Sequence, residues 1–230
     1  MKKLLMVLCA ALLFSGCMKT ETELFIKKDG SAVMKNNFLI AEELDNLSEQ
    51  AFSKEIDKMK GEKDVKIEKI RKDGMVGTQA TINIKDITQE GTVSLPDNFT
   101  SLNPDKKLVS VKKGFFKNVY TINLDVNMSD AELEQKMATQ QVTPDQLDAI
   151  FKVSFIVHLP VKADENNAMS ANDETFEYKW DMKFSQKTPV KLVYTIYNTA
   201  NIALTIVLVI AGLILLFALA KPKNEENETV

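Results

Sequence analysis

The side chains of this 230-residue chain that could carry out chemistry are few and widely spaced. His158 is the single histidine, so any Ser/His or Cys/His engine would have to use it. It falls in an alternating stretch on the polar phase, opposite Val157 and Leu159, which favours an exposed or hydrogen-bonded strand residue. Ser110-Val111-Lys112-Lys113 has the S-x-x-K spacing of serine–lysine acylases. That chemistry places its serine at the start of a helix, whereas Ser110 lies in an extended segment beside a turn, with no SDN or KTG partner. Carboxylates gather at Asp164-Glu165 and Asp173-Glu174, without the spaced oxygen ligands and turn glycine of a calcium loop. A solvated loop is the better account of them. No G-x-G-x-x-G or GKS/T element is present to cradle phosphate. The expectation is a chain with no enzymatic activity, no metal site and no cofactor.

Cys17 is different, because its chemistry is set by where it stands. Met1-Lys2-Lys3 precedes an apolar run from Leu4 to Phe14, which Ser15-Gly16-Cys17 closes. Such a run has signal-peptide length and is too short to span a bilayer. Small residues before the break suit a peptidase pocket of little volume, and a cysteine at the first mature position can take a diacylglyceryl group through its thiolate. LLFSGC resembles the lipobox, departing from it at Phe14, where that motif carries leucine. The competing reading is an ordinary secretory signal in which Cys17 is incidental. With Cys9 inside the removed segment, Cys17 would be left alone, and neither a disulfide within the chain nor a cysteine zinc site could form.

From Ile202 to Ala220 the chain carries no charge, and Thr205 is its one polar residue. At ~1.5 Å per residue this run covers ~30 Å, the thickness of a bilayer's hydrocarbon core. The expected organisation is a signal peptide at 1–16, a lipidated cysteine and short tether at 17–22, an exported domain at 23–198, a transmembrane helix at 201–220 and a cytoplasmic tail at 221–230. A spanning helix would have to be extracted for transfer to an outer membrane, so the inner (cytoplasmic) membrane of a bacterium is the expected location. A formal charge of −3, with no dense Lys/Arg cluster, makes nucleic acid a poor partner.

The exported stretch reads as α+β: an antiparallel β-meander with one long and one or two short helices, besides the single transmembrane helix. Turns are expected at Asp29-Gly30, Asp73-Gly74 and Lys113-Gly114. Leu44, Leu47, Phe52, Ile56 and Met59 recur at helical spacing over residues 41–61. Ser129 with Glu132, and Thr143 with Pro144, mark two further helix starts. Tyr120, Ile122, Leu124 and Val126 alternate with polar neighbours, as do Phe176 to Phe184 and Val190 to Ile196. Period-two patterning implies one buried and one wet face, with helices covering the apolar one.

Lipobox, early Asp-Gly hairpin, helix, late strands carrying His158-Leu159-Pro160-Val161 and Tyr178-Lys179-Trp180, and a closing membrane helix follow in that order. This layout resembles the LppM-type bacterial lipoprotein family over about residues 17–222. The resemblance implies an exported α+β domain for which lipid or glycolipid binding has been proposed, and it implies no catalytic residues.

Phe151, Phe155, Phe176, Tyr178, Trp180 and Phe184 form an aromatic ladder, the candidate lining of an apolar pocket. Plain core packing explains the same spacing, and Trp180 or Tyr194 would also suit the headgroup level. Two functions follow. One is binding or sensing of a membrane lipid or other amphiphile. The other is a scaffold or accessory subunit that engages a membrane protein through the C-terminal helix.

Overall fold

Turn chemistry at two Asp-Gly pairs starts the fold. The computed structural model describes residues 18–42, 65–89, 99–102, 107–129 and 131–219. β1 (Met18–Ile26) and β2 (Ala32–Ala41) form an antiparallel hairpin. In its turn Asp29 Oδ1 accepts from the amide and hydroxyl of Ser31 at 2.9 and 2.7 Å, and Gly30 takes φ +86°. Between β3 (Val65–Lys72) and β4 (Met75–Ile84), Asp73 and Gly74 both lie at positive φ, as a two-residue hairpin turn requires. β5 (Phe99–Ser101), β6 (Val109–Lys113) and β7 (Lys117–Val126) precede two short helices, α1 (Ala131–Gln140) and α2 (Pro144–Ile150). Thr143 caps α2 in a reciprocal box with Gln146, as the Thr-Pro start suggests. Ser129 instead donates its hydroxyl to Glu134. The chain ends with β8 (Phe151–His158), β9 (Glu165–Asn166), β10 (Ser170–Asn172), β11 (Glu177–Met182), β12 (Thr188–Tyr197) and the apolar helix α3 (Thr199–Leu219).

The α+β class holds, but the meander needs correction. The strands form two sheets, and the larger, ordered β10-β11-β8-β1-β2-β4-β3, is mixed. β1 runs antiparallel to β2 on one side and parallel to β8 on the other, with Met18 opposite Phe151 and Phe25 opposite His158. The smaller sheet, β5-β7-β12-β9 with β6 also on β7, is antiparallel. Alternation within a strand records which face is buried, but not which distant strand lies alongside.

The expected tether also changes. Residues 18–22 are the first half of β1, so a paired strand occupies the stretch expected as a tether. Their Thr20 and Thr22 sit between Phe38 and Asn36 of β2 and Val153 and Phe155 of β8. Cys17, the signal segment, residues 43–61 of the long helix and the tail at 221–230 lie outside the described residues.

Each sheet covers the other's apolar face. Leu24, Ile26, Phe155, Val157, Tyr178 and Trp180 meet Tyr120, Ile122, Leu124, Leu192 and Tyr194 in one core. The expected helical cover is not what closes this core among the described residues; α2 buries no residue at all. Trp180 and Tyr194 are 1% and 0% exposed, which removes both as headgroup anchors.

Asn167 joins the sheets. Its Oδ1 accepts from Trp180 Nε1 at 2.9 Å and from the Lys191 amide at 2.7 Å, while Nδ2 donates to the Pro189 carbonyl at 3.0 Å.

Strand direction then places the two ends of the domain. β11 ends at Met182, opposite Val153 near the start of β8, and β12 begins a few residues later at Thr188. Asp164, just beyond the end of β8, binds β12 near its finish: its amide donates to the Val193 carbonyl at 2.8 Å and Oδ2 accepts from Thr195 at 2.6 Å. Met18 therefore lies at the end of the sandwich where β12 starts, and α3 leaves from the opposite end.

Replacing Asn167 by alanine strands the Trp180 indole N–H in the core and should cost about 1–3 kcal/mol in urea unfolding. Trp180→Phe removes the stranded donor, so the double variant should lose less than the sum of the singles. Additive losses would show that the Asn167–Trp180 bond does not couple the sheets.

Candidate functional site

An open cleft of about 390 Å³ lies at the end of the larger sheet where β1 and β8 begin and β11 finishes. Its volume falls within the range that holds small ligands. Three strands contribute their polar phase to it: Lys19 from β1, Lys152 and Ser154 from β8, and Lys179 and Asp181 from β11, with Lys183 just beyond. Phe151, Val153, Met182 and Met169 give it an apolar lining, and Asp148 of α2 completes it.

The junction between α2 and β8 holds this geometry. α2 stops because Phe151 turns to extended backbone, φ −101° and ψ 125°. Asp148, in its last turn, accepts from the Phe184 amide and the Ser185 hydroxyl, both at 2.6 Å. This clamps the turn after β11 onto α2 and brings Phe184 to 6.0 Å from Phe151, ring centre to ring centre.

The acids of the cleft are engaged within the protein. Asp148 is used as just described, and Asp181 accepts from Ser154 at 3.1 Å and pairs with Lys179 at 3.4 Å. Lys19 pairs with Glu21 at 2.8 Å and Asp73 at 3.6 Å. Among the described residues no carboxylate pairs with Lys152 or Lys183. Lys152 Nζ donates only a long bond, 3.5 Å, to the Asp148 carbonyl, so the cleft sets two ammonium groups without a carboxylate partner among the described residues beside an apolar lining, a combination that suits a ligand with an anionic head and an apolar body.

The aromatic ladder splits. Phe155, Tyr178 and Trp180 are fully buried in the core; Phe155 and Trp180 stand 6.1 Å apart, and Tyr178 Oη accepts from the Ala163 amide at 2.8 Å. Phe176 sits at the rim of that core, at φ 53° in the turn before β11. Phe151 and Phe184 are brought together at the far end, and of the six Phe151 borders the cleft. Nothing local marks these lysines as a site, because Lys19, Lys152 and Lys179 each occupy the wet phase of a strand and Lys183 follows β11. Their convergence depends on the strand order, which brings β1, β8 and β11 side by side.

His158 lies on the same polar phase at the other end of the sheet. Its ring stacks on Phe25, centroids 4.0 Å apart and planes 4° from parallel. Nε2 stands 3.7 Å from Glu23 and Nδ1 3.8 Å from Glu177, distances of electrostatic attraction rather than ordinary hydrogen bonds. Glu23 also accepts from Asn37 at 2.8 Å and Lys72 at 3.1 Å, and Lys72 reaches Glu21 at 2.8 Å. The imidazole of His158 first, then Lys72, hold the Glu23 carboxyl at about 2 against the opposing effect of burial. Burial pushes Glu21 up, but Lys19 and Lys72 outweigh it and leave the group below its ordinary value. Stacking and pairing account for His158 as a structural residue. Ser110 lies in β6 opposite Thr121.

No family model and no curated protein matches the chain. Among solved structures it is similar to the folded domain of Mycobacterium tuberculosis LppM, determined by NMR, at 12% identity and a TM-score of 0.45 over 81% of this chain and 94% of that one. That domain is the namesake of the family the sequence resembles.

Because the folded value of Glu23 lies below the unfolded value near 4.5, its stabilisation is present above about pH 4.5 and is lost as pH falls from there through about 2. Glu23→Gln should therefore lower stability at pH 7 and flatten the acid limb of a stability–pH curve measured by urea unfolding. An unchanged acid limb would refute this assignment.

Proposed function

We propose that this chain is a membrane-anchored lipoprotein whose exported domain binds or senses an amphiphile with an anionic head group at the bilayer surface. The cleft beside Met18 carries this reading. It joins Lys152 and Lys183 to an apolar lining, and it lies next in sequence to the cysteine that would be acylated. A membrane lipid is the ligand class at hand for such a site, with the lysines meeting phosphate and the apolar wall meeting the first part of the chains.

Attachment follows from the two ends of the domain. α3 is apolar, exposed around its circumference and, at ~1.5 Å per residue, ~30 Å long, which suits a bilayer span. In this proposal α3 crosses the inner membrane with the tail cytoplasmic, and acyl chains on Cys17 enter the outer leaflet of the same membrane. β1 starts at the next residue, so this leash has no slack. Anchors at opposite ends then lay the sandwich on its side, strands along the bilayer, and turn the cleft toward the leaflet.

The scaffold reading draws on the exposure of α3. Thr205 turns its hydroxyl back to the Asn201 carbonyl at 2.8 Å, so the helix offers a partner helix no polar contact from that residue. Lipid is the environment it suits better.

Native mass spectrometry of the full-length protein released from bilayers containing phosphatidylglycerol tests the proposal. The parent should retain a lipid beyond any acyl group on Cys17. Lys152→Glu with Lys183→Glu should lower that retention at least about tenfold, since each lysine near an anionic surface contributes about 1 kcal/mol. No retained lipid in the parent, or equal retention in a double variant of unchanged melting temperature, would contradict it.

A further inference from the structure

The tip of the β6–β7 hairpin, Lys113-Gly114-Phe115-Phe116-Lys117, exposes two adjacent phenylalanines at 60% and 47%. They pack edge to face with ring centres 4.9 Å apart, yet neither belongs to a core cluster. Tyr197, opposite Lys117 at the end of β12, is 62% exposed beside them. Lys112, Lys113 and Lys117 flank the tip and are also exposed. Gly114 makes the turn feasible: a Cβ there would stand 2.7 Å from the Lys117 carbonyl oxygen.

This tip is bonded to the root of α3. The Asn198 amide donates to the Phe116 carbonyl at 2.8 Å, and Asn201 Nδ2 donates to the Phe115 carbonyl at 2.7 Å. Asn198 Oδ1 meanwhile accepts from the Asn201 amide at 3.2 Å and caps the helix. The two backbone carbonyls that carry the phenylalanines are thus satisfied by protein rather than by water. A loop entering a poorly hydrated layer requires that arrangement, whereas a solvated turn has no need of it.

We infer that this hairpin tip is a further, interfacial membrane contact, inserting Phe115 and Phe116 at the headgroup level of an anionic leaflet beside the point where α3 enters. The occupant is the bilayer itself. The exposed aromatic surface is continuous with exposed α3 through two hydrogen bonds, and flanking lysines suit lipid phosphate. Two aromatic side chains and a tyrosine at one level form part of an aromatic belt, and they fix the tilt of the domain at its helix end. The inference rests on α3 lying in the bilayer, but not on the cleft or its ligand.

The test uses the full-length chain reconstituted into vesicles of phosphatidylglycerol and phosphatidylethanolamine, with Phe115→Trp or Phe116→Trp as the probe and Lys66→Trp on β3 as the control. Native Trp180 is buried and adds a constant background. Emission from the probes should be blue-shifted, quenched by phospholipid brominated near the carbonyl level, and several-fold less accessible to acrylamide than the control. Replacing phosphatidylglycerol by phosphatidylcholine should reduce the bromolipid quenching. Acrylamide access equal to that of the control would overturn the inference. So would shielding without bromolipid quenching, which would mean that protein covers the tip. Quenching indifferent to anionic lipid would remove the lysines' role and overturn the anionic-leaflet assignment. None of these readouts involves lipid retention in the cleft, so failure of the tip and failure of the cleft are distinguishable.

Discussion

The pairing of β1 between β2 and β8 is the constraint on which the domain depends. A central strand hydrogen-bonded on both sides cannot slide without reversing its faces, because side chains alternate with a period of two. A shift of one residue would drive Glu21 and Glu23 into the sandwich core and expel Leu24 and Ile26. The parallel register with β8 sets Lys19 opposite Lys152 at one end and Phe25 opposite His158 at the other. The same register therefore builds the mouth of the cleft and the stacked aromatic–imidazole pair.

The acids on the outer phase show how such a strand stays stable. Glu21 is 3% exposed, and a buried carboxylate without partners would be costly. Lys72 reaches across from the edge strand β3 to bind both glutamates, and Asn37 and Gln79 continue the chain of contacts, Gln79 Nε2 donating to Asn37 Oδ1 at 2.8 Å. Removing one member would leave charge buried and unpaired. The network thus ties β3, β4 and β2 to β1 through side chains as well as through backbone pairing.

Much of the fold was legible because half-buried strands carry their phase locally. The alternation of Tyr120 to Val126 and of Tyr178 to Met182 pointed to the correct buried faces, and Asp73-Gly74 and Thr143-Pro144 marked a real turn and a real helix start. Trp180 was recognisable as a core residue, although its bond to Asn167 was not. The first half of β1 carries no local sign of burial because the partners of Glu21 and Glu23 lie on other strands, at Asn37, Lys72 and His158, so the stretch resembles a solvated leash. Parallel pairing of β1 with β8 links residues more than a hundred positions apart and leaves no local trace. The cleft shares that origin, being the wet phases of three strands brought side by side. Phe115 and Phe116 were visible as residues, but their meaning came only from the bonds to Asn198 and Asn201.

In the proposed arrangement the two anchors act at opposite ends of the sandwich and hold both the lysine cleft and the aromatic tip against one leaflet. The most direct measurement is photolabelling of the full-length chain in bilayers that carry a headgroup-level diazirine phospholipid, with labelled peptides mapped by mass spectrometry. A recumbent domain predicts labels around Lys19 and Lys183 as well as around Phe115 and Phe116 in the same sample. Labels confined to α3 and the hairpin tip would mean that the domain stands upright with its cleft in water, and the account of a lipid-facing site would fail.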